Sequence, residues 1–149
     1  MNITVSPKQP KPTRADGQRT GLAGEFFVAA ELLRRSLQAS LTMGNAKAID
    51  LFAHNSTTGR VFTLQVKSLR NRNHFPISHR AVVREHVYVF VVVPPPSKPL
   101  DYFIVPGSEL LERPEQFGAW HRDPKFPAIH WKSLEPYRDA WSLFTSAVG

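Results

Sequence analysis

The sequence predicts one α/β domain in which a mixed central β-sheet is flanked by helices. Three observations predict it: apolar residues recur at helical spacing after residue 20, three strand-like segments with intervening turn residues follow, and residues 87–93 form an unbroken apolar run. Such a β-branched run is typical of a central strand that is covered on both faces. The length of 149 residues, 42% of them hydrophobic, suits one compact domain.

The first predicted element is a helix that begins after Thr20, a suitable N-cap. We expect the core-facing stripe of this helix to consist of Leu22, Phe26, Ala30 together with Ala29, Leu33 and Leu37. Glu25 lies in the second turn at the edge of the stripe, and the small residues at 21, 23 and 24 permit a close approach of another backbone. Residues 1–19 are rich in proline and basic residues, which predicts a flexible arm before a folded domain at 20–149.

Three strands are predicted next, over 38–42, 46–54 and 60–69, with turns at 44–45 and 55–59. A basic loop over 70–79 and a short helical piece over 80–85 lead to the apolar strand. Beyond the prolines at 94–96, the pattern predicts a strand over 102–105, a brief helix over 109–112 capped by Ser108, and an edge strand over 128–131. A final helix opens at Ser133, and its core residues are Leu134, Tyr137, Trp141 and Phe144.

Charge and composition narrow the possible functions. Nineteen lysines and arginines against 12 acids give a formal net charge of +7, which favours a nucleic-acid partner because basic side chains displace counterions from phosphates. The absence of cysteine excludes a disulfide framework and a thiolate zinc site. No apolar segment is long enough to cross a bilayer and no signal-peptide core is present, so we expect a cytoplasmic protein without a membrane partner.

The most informative pattern lies on the second and third predicted strands. Asp50 interrupts an apolar segment, and Gln65 and Lys67 flank Val66 on the next strand. Strand side chains two residues apart share a face and lie roughly 6–7 Å apart. A hairpin through 55–59 brings them beside Asp50, where a carboxylate, an amide oxygen, the Val66 carbonyl and an ammonium group meet. Such a set suits a divalent metal with a polarised water, and it predicts a nuclease site.

The order of helix, three-strand meander, helix and strand, with an acid on the second strand and polar-x-Lys on the third, resembles the PD-(D/E)XK nuclease superfamily. The resemblance covers about residues 21–93 and implies a restriction-endonuclease-like fold and a Mg²⁺-dependent endonuclease acting on DNA, with Mn²⁺ as a substitute. It implies that Asp50 and Gln65 bind the metal, that Lys67 assists the attacking water, and that Glu25 is an additional helix glutamate. Ile49, the residue before Asp50, occupies the position of the proline in the PD-(D/E)XK motif.

Gln65 departs from the pattern of the superfamily. An amide keeps an oxygen ligand but removes a formal charge, which lowers metal affinity unless Glu25 compensates. The same residues also fit a plain ion pair between Asp50 and Lys67 at a strand end. Two other functions therefore stay open: a catalytically inactive nuclease-fold module that binds nucleic acid or supports assembly, and a structural domain without a nucleic-acid role.

Four arginines near the predicted site are expected to hold the phosphate backbone. Arg70 and Arg72 follow the third strand, and Arg80 and Arg84 precede the apolar strand. Such residues bind backbone phosphates and do not recognise the base sequence. DNA is favoured over RNA, and a homodimer is possible because enzymes that cut both strands are often dimers. The six histidines lack metal-ligand spacing, which argues against a zinc site.

Overall fold

The computed structural model describes residues 10–42 and 48–147. The long helix α1 comes first, and three short strands follow it before the parallel crossover. Short 3₁₀ turns connect the later elements. In chain order the helices and strands are α1 (Arg14–Arg34), β1 (Gln38–Leu41), β2 (Leu51–His54), β3 (Val61–Leu69), β4 (His74–Pro76), β5 (His86–Val92), β6 (Asp101–Pro106), α2 (Gly107–Glu112), β7 (Ala128–His130) and α3 (Ser142–Thr145).

Five of these strands form the central sheet, in the order β1-β2-β3-β5-β6. The first three strands make the predicted antiparallel meander, β5 runs parallel to β3, and β6 runs antiparallel to β5. A parallel neighbour requires a long crossover, which the chain between β3 and β5 supplies. The mixed sheet predicted from the sequence is thereby confirmed.

The two faces of the sheet are covered by different parts of the chain. Helix α1 and the C-terminal segment cover one face, where Val28 and Leu32 pack against Leu64 and Val89. The other face of β5 packs against β4, β7 and the 3₁₀ turns of the last third of the chain. Strand β5 is buried from residue 87 to its end, as the apolar run predicted. No helix in the described parts of the chain has the length and apolar character of a membrane span.

Helix α1 begins earlier than predicted. Thr13 is the N-cap and forms a reciprocal capping box with Asp16: the Asp16 N–H donates to Thr13 Oγ1 (3.2 Å) and the Thr13 N–H donates to Asp16 Oδ2 (2.9 Å). Thr20 lies inside the helix and donates its hydroxyl to the Asp16 carbonyl. The expectation of a flexible arm is therefore wrong for residues 14–19, and residues 1–9 of that arm lie outside the described residues.

The predicted core stripe of α1 is mostly wrong, because only Ala29 and Leu37 of its residues are buried. The buried positions of the helix are Gly24, Val28, Ala29 and Leu32. In contrast, the side chains of Leu22, Phe26 and Leu33 are 51%, 56% and 57% exposed. Leu37 is buried as expected, although it lies beyond the end of the helix. Because apolar residues occur on both sides of α1, their spacing does not single out the face that meets the sheet.

Three other segments differ from the sequence-based expectation. Strand β2 begins at Leu51, with Ala48 in a turn at a φ of 64°, and the predicted turn at 44–45 lies outside the described residues. The predicted loop over 70–79 contains β4. Residues 128–130 pair with β4 in a separate two-stranded sheet and not with an edge of the central sheet. The helical piece expected over 80–85 is limited to a 3₁₀ turn at His79–Ala81.

The C-terminal helix is divided. Residues Trp131–Tyr137 form a 3₁₀ stretch with Pro136 inside it, and only Ser142–Thr145 is α-helical. Three of the four predicted core residues of this segment, Leu134, Trp141 and Phe144, are buried. Helix α2 starts at Gly107, with no side-chain hydrogen bond at its cap, so Ser108 is not the cap that the sequence predicted.

Candidate metal centre at the open edge of strand β3

Strand β3 is longer than β2, and its second half forms an open edge. The pairing with β2 ends at Leu64, whereas β3 continues to Leu69 beside β5 alone among the described residues. The N–H and C=O of one strand residue point to the same side of the strand. Since the Leu64 carbonyl accepts the Asp50 N–H (2.9 Å), the backbone groups of Val66, two residues further on, point to this open edge.

Asp50 lies directly before β2 and ends the β2–β3 ladder with its side chain. Its Oδ2 accepts the Val66 N–H at 2.7 Å, in the place that a further strand residue would otherwise occupy. Thr42 holds the backbone from the β1 side: its N–H donates to the Asp50 carbonyl (3.0 Å) and its hydroxyl donates to the Ile49 carbonyl (2.6 Å). The Asp50 carboxylate is thus held by hydrogen bonds at the open edge.

Helix α1 brings Glu25 to the same point because Gly24 lets it approach β3 closely. A Cβ atom on Gly24 would lie 1.9 Å from Ser68 Oγ and 3.6 Å from Val66 Cγ1. Any larger residue at position 24 would force the helix or Ser68 to move. The next residue, Glu25, makes a side-chain hydrogen bond with Asp50. Ser68 Oγ is buried near Gly24 and has no hydrogen-bond partner among the residues that the structure describes.

Two carboxyl groups in direct contact are costly to ionise together. Burial, together with the charge of Asp50 and the hydrogen bond to it, raises the pKa of Glu25 to about 7. With this pKa, Glu25 holds a proton below about pH 7 and releases it above. A divalent cation can take the place of that proton, because carboxylate oxygens are its preferred ligands.

Gln65 and Lys67 lie on the face of β3 opposite to the one that α1 covers. Gln65 is 5% exposed, and its Nε2 donates to Tyr88 Oη (3.0 Å) and to His86 Nδ1 (2.9 Å). Its carbonyl oxygen has no hydrogen-bond partner among the described residues. The Lys67 ammonium has neither a hydrogen-bond nor an ion-pair partner in the described ranges.

Of the predicted site residues, the structure brings Glu25, Asp50 and the Val66 backbone into contact. It contradicts the simple Asp50–Lys67 ion pair, because the partners of Asp50 are an acid and a backbone N–H. Gln65 bonds to neither carboxyl group. Within residues 10–42 and 48–147, no group of three or more His, Cys, Asp or Glu side chains could hold a metal. A metal here would therefore need amide, backbone or water oxygens besides the two carboxylates.

Two of the four predicted phosphate-binding arginines are ion-paired with acids, and the other two are exposed. Arg72 donates two hydrogen bonds to Asp101 (2.9 and 3.2 Å), and Arg84 forms an ion pair with Glu112. Arg70 and Arg80 are exposed and have no ion-pair partner in the described parts of the chain. Arg70 also lines a groove of about 520 Å³ between the first turns of α1 and the end of β3. Ser68, whose Oγ lies close to Gly24 of α1, lines the same groove.

Sequence reasoning missed three residues that shape this region. Ser68 continues the alternation of the third strand and could have been found from that alternation. His86 and Tyr88 contact Gln65 through the parallel β3–β5 register, in which Tyr88 is opposite Gln65. That register is set by tertiary packing, so no local pattern in the sequence signals it. The close approach expected at the small residues of α1 is confirmed at Gly24.

Comparison with known proteins identifies the fold. Neither a protein-family model nor a curated protein matches the sequence. Among solved structures, a bacterial homing endonuclease matches with a TM-score of 0.56 and 14% identity, over 85% of this chain and 88% of that chain. A Holliday junction resolvase from the archaeal hyperthermophile Archaeoglobus fulgidus matches with a TM-score of 0.56 and 13% identity, over 85% and 96%. At such identities the similarity shows the fold alone, and that fold is restriction-endonuclease-like.

Proposed function

We propose that this protein is a metal-dependent nuclease that hydrolyses phosphodiester bonds in DNA at the open edge of β3. The placement of Glu25 beside Asp50 at this edge carries this proposal: burial, together with the charge of Asp50 and the hydrogen bond to it, raises the pKa of Glu25 to about 7. Carboxyl groups with a strongly perturbed pKa are typical of functional sites. The nuclease neighbours and the net charge of +7 support a nucleic-acid substrate.

The residues at the edge fit a hard divalent cation such as Mg²⁺, with Mn²⁺ as a substitute. Asp50 and Glu25 would supply charged oxygens, and the Val66 carbonyl and the unpartnered oxygen of Gln65 would supply neutral ones. The buried hydroxyl of Ser68 would add a polar contact for a water molecule. When bound, the cation lowers the pKa of a water molecule and neutralises negative charge at the phosphate.

The basic residues of the chain bind and orient the substrate in this proposal. Lys67, which lacks a partner among the described residues, supplies positive charge beside the attacking water. Arg70 and Arg80 contact backbone phosphates. Arg72 and Arg84 contribute less, since carboxylates already occupy part of their guanidinium groups. The groove at the start of α1 lies where the DNA backbone would pass Arg70 on its way to the carboxylates.

A plasmid-nicking assay tests the proposal. Supercoiled DNA is incubated with the wild type, with Asp50→Asn and Lys67→Ala, and with Glu115→Gln as a control for loss of an exposed acid, in Mg²⁺, Mn²⁺ or EDTA. We expect metal-dependent nicking that falls about 100-fold or more in the two site variants and is unchanged in the control. Nicking that persists in EDTA, or equally in Asp50→Asn, would contradict the assignment.

A second function is favoured by one observation. Gln65 has an amide where the nuclease superfamily that the sequence resembles has a carboxylate. The amide nitrogen is hydrogen-bonded to Tyr88 and His86. A protein whose metal affinity is too low for catalysis would act as an inactive nuclease-fold module that binds nucleic acid. Salt-sensitive retention on DNA without any nicking in the same assay would favour this alternative.

A further inference from the structure

We propose that Tyr88 and His86 are positioning residues that hold the side-chain amide of Gln65 with its oxygen directed at the open edge of β3. This inference rests on the proposed metal-dependent function and gives the amide a specific part in it. Both partners of the Gln65 nitrogen are on β5, the strand that closes the other side of β3. The amide oxygen is therefore directed away from β5, toward the side on which Asp50 lies.

The hydrogen bonds around Gln65 account for both protons of its amide. One N–H donates to Tyr88 Oη (3.0 Å) and the other to His86 Nδ1 (2.9 Å). Tyr88 is itself fixed, because its Oη also accepts the Val83 N–H at 2.9 Å. The oxygen is then the one group of the amide that is left for a ligand.

This arrangement favours an amide over a carboxylate at position 65. A glutamate would have no N–H to donate to His86 Nδ1 or Tyr88 Oη, and it would place an oxygen against the lone pair of the imidazole. The extra charge that glutamate brings to a metal site would then be offset by the loss of two hydrogen bonds. We therefore expect that Gln65→Glu does not strengthen metal binding, although the resembled superfamily has an acid at this position.

The test measures Mn²⁺ affinity from the electron paramagnetic resonance signal of the free ion. The proteins are the wild type, Tyr88→Phe, Gln65→Glu and Tyr102→Phe, which removes one hydroxyl from a half-buried tyrosine on the neighbouring strand β6. Loss of an outer contact that orients a metal ligand weakens affinity by about 10-fold, which we expect for Tyr88→Phe. We expect Gln65→Glu to bind no more tightly than the wild type and Tyr102→Phe to be unchanged.

A second measurement uses NMR spectroscopy to observe the side-chain amide of Gln65 directly. In ¹⁵N-labelled protein the two amide protons of Gln65 should give separate, protected resonances that shift when Mg²⁺ is added. In Tyr88→Phe we expect this protection to be lost while the resonances of the β5 backbone are kept. Should Tyr88→Phe fail to fold, His86→Ala at the partly exposed start of β5 serves the same two measurements.

Two outcomes overturn the positioning role alone: a folded Tyr88→Phe protein that binds Mn²⁺ like the wild type, or a Gln65→Glu protein that binds about 10-fold more tightly. The Asp50→Asn variant shows whether only the positioning role of Tyr88 is wrong or whether the proposed metal site is wrong as well. If Asp50→Asn loses Mn²⁺ binding and Tyr88→Phe does not, the metal site stands without the positioning role. If Asp50→Asn binds like the wild type, the metal site at the open edge is refuted together with the role of Tyr88.

Discussion

Two carboxylate clusters at the central sheet have opposite electrostatic surroundings. Asp101, at the start of β6, accepts hydrogen bonds from Arg72 (2.9 and 3.2 Å) and Arg138 (2.6 Å). Burial opposes its ionisation, but these two arginines keep the pKa of Asp101 below its usual value. Glu25 faces the acid Asp50 instead, and the pKa of Glu25 rises to about 7.

The difference separates an acid whose charge is compensated by two arginines from a pair of acids without a basic partner among the described residues. The Asp101 cluster is electrostatically complete, because two guanidinium groups compensate one carboxylate and Glu135 adds a further partner for Arg138. No basic side chain of the described residues forms an ion pair with Glu25 or Asp50. Such an uncompensated pair costs stability at neutral pH, and the cation of the proposed function would offset that cost.

Neutralising Asp101 and Asp50 separately is the strongest test of whether the two clusters contribute differently to stability. We expect Asp101→Asn to lower the free energy of unfolding by about 2 kcal/mol, because two charged hydrogen-bond donors lose their acceptor charge. Asp50→Asn should change it by less than about 0.5 kcal/mol at pH 8 in metal-free buffer, since the loss of an unfavourable charge offsets a weaker bond to Val66. Urea unfolding measures both values. Equal losses would remove the distinction between the clusters.

The close approach of α1 to β3 can be disturbed at Gly24. We expect Gly24→Ala to lower the free energy of unfolding by about 1–2 kcal/mol, because the added methyl group meets Ser68 Oγ. It should also weaken Mn²⁺ binding by moving Glu25. Gly21→Ala, where an added Cβ has nothing within 4 Å, is the matched control and should be neutral or slightly stabilising. Restoration of stability by Ser68→Gly in the Gly24→Ala background would identify this contact as the cause.

The pH dependence of the free energy of unfolding tests the raised pKa of Glu25. The pKa of Glu25 is raised in the folded state from 4.5 to about 7. Its protonated form therefore stabilises the fold fully below about pH 4.5, and that contribution is lost as the pH rises through about 7. After a discount for partial solvent exposure we expect a loss of about 1 kcal/mol in metal-free buffer.

Glu25→Gln should remove this pH-dependent loss and be more stable than the wild type at pH 8. Mn²⁺ should stabilise the wild type at pH 8, less so at pH 6 because protons compete, and should not stabilise Glu25→Gln to the same extent. Thermal unfolding at several pH values, with and without Mn²⁺, measures these effects. A wild type whose stability does not fall between pH 5 and 8 relative to Glu25→Gln would argue against the raised pKa.

The sequence predicted the parts of this site that depend on local rules. The turn at 55–59 correctly brought the Val66 backbone beside Asp50. The alternation along the third strand predicted Gln65 and Lys67 beside Asp50 as well, but the Gln65 amide nitrogen contacts Tyr88 and His86 instead. The burial of β5 followed from its continuous apolar run. The core face of α1 could not be predicted in the same way, because Leu22 and Phe26 are as apolar as Val28 and Leu32 and only the packing against β3 decides between them. The contacts of Gln65 depend on the β3–β5 register, which is fixed across a long connection.

The side chain of Asp50 also occupies part of the open strand edge of β3. A strand with free N–H and C=O groups is a template on which another chain can add a strand. By accepting the Val66 N–H, Asp50 occupies the first such group beyond the end of β2. A substitution that shortens this side chain, such as Asp50→Ala, would uncover the template and favour self-association through β3. Light scattering of such variants would therefore show whether a loss of function comes from missing chemistry or from aggregated protein.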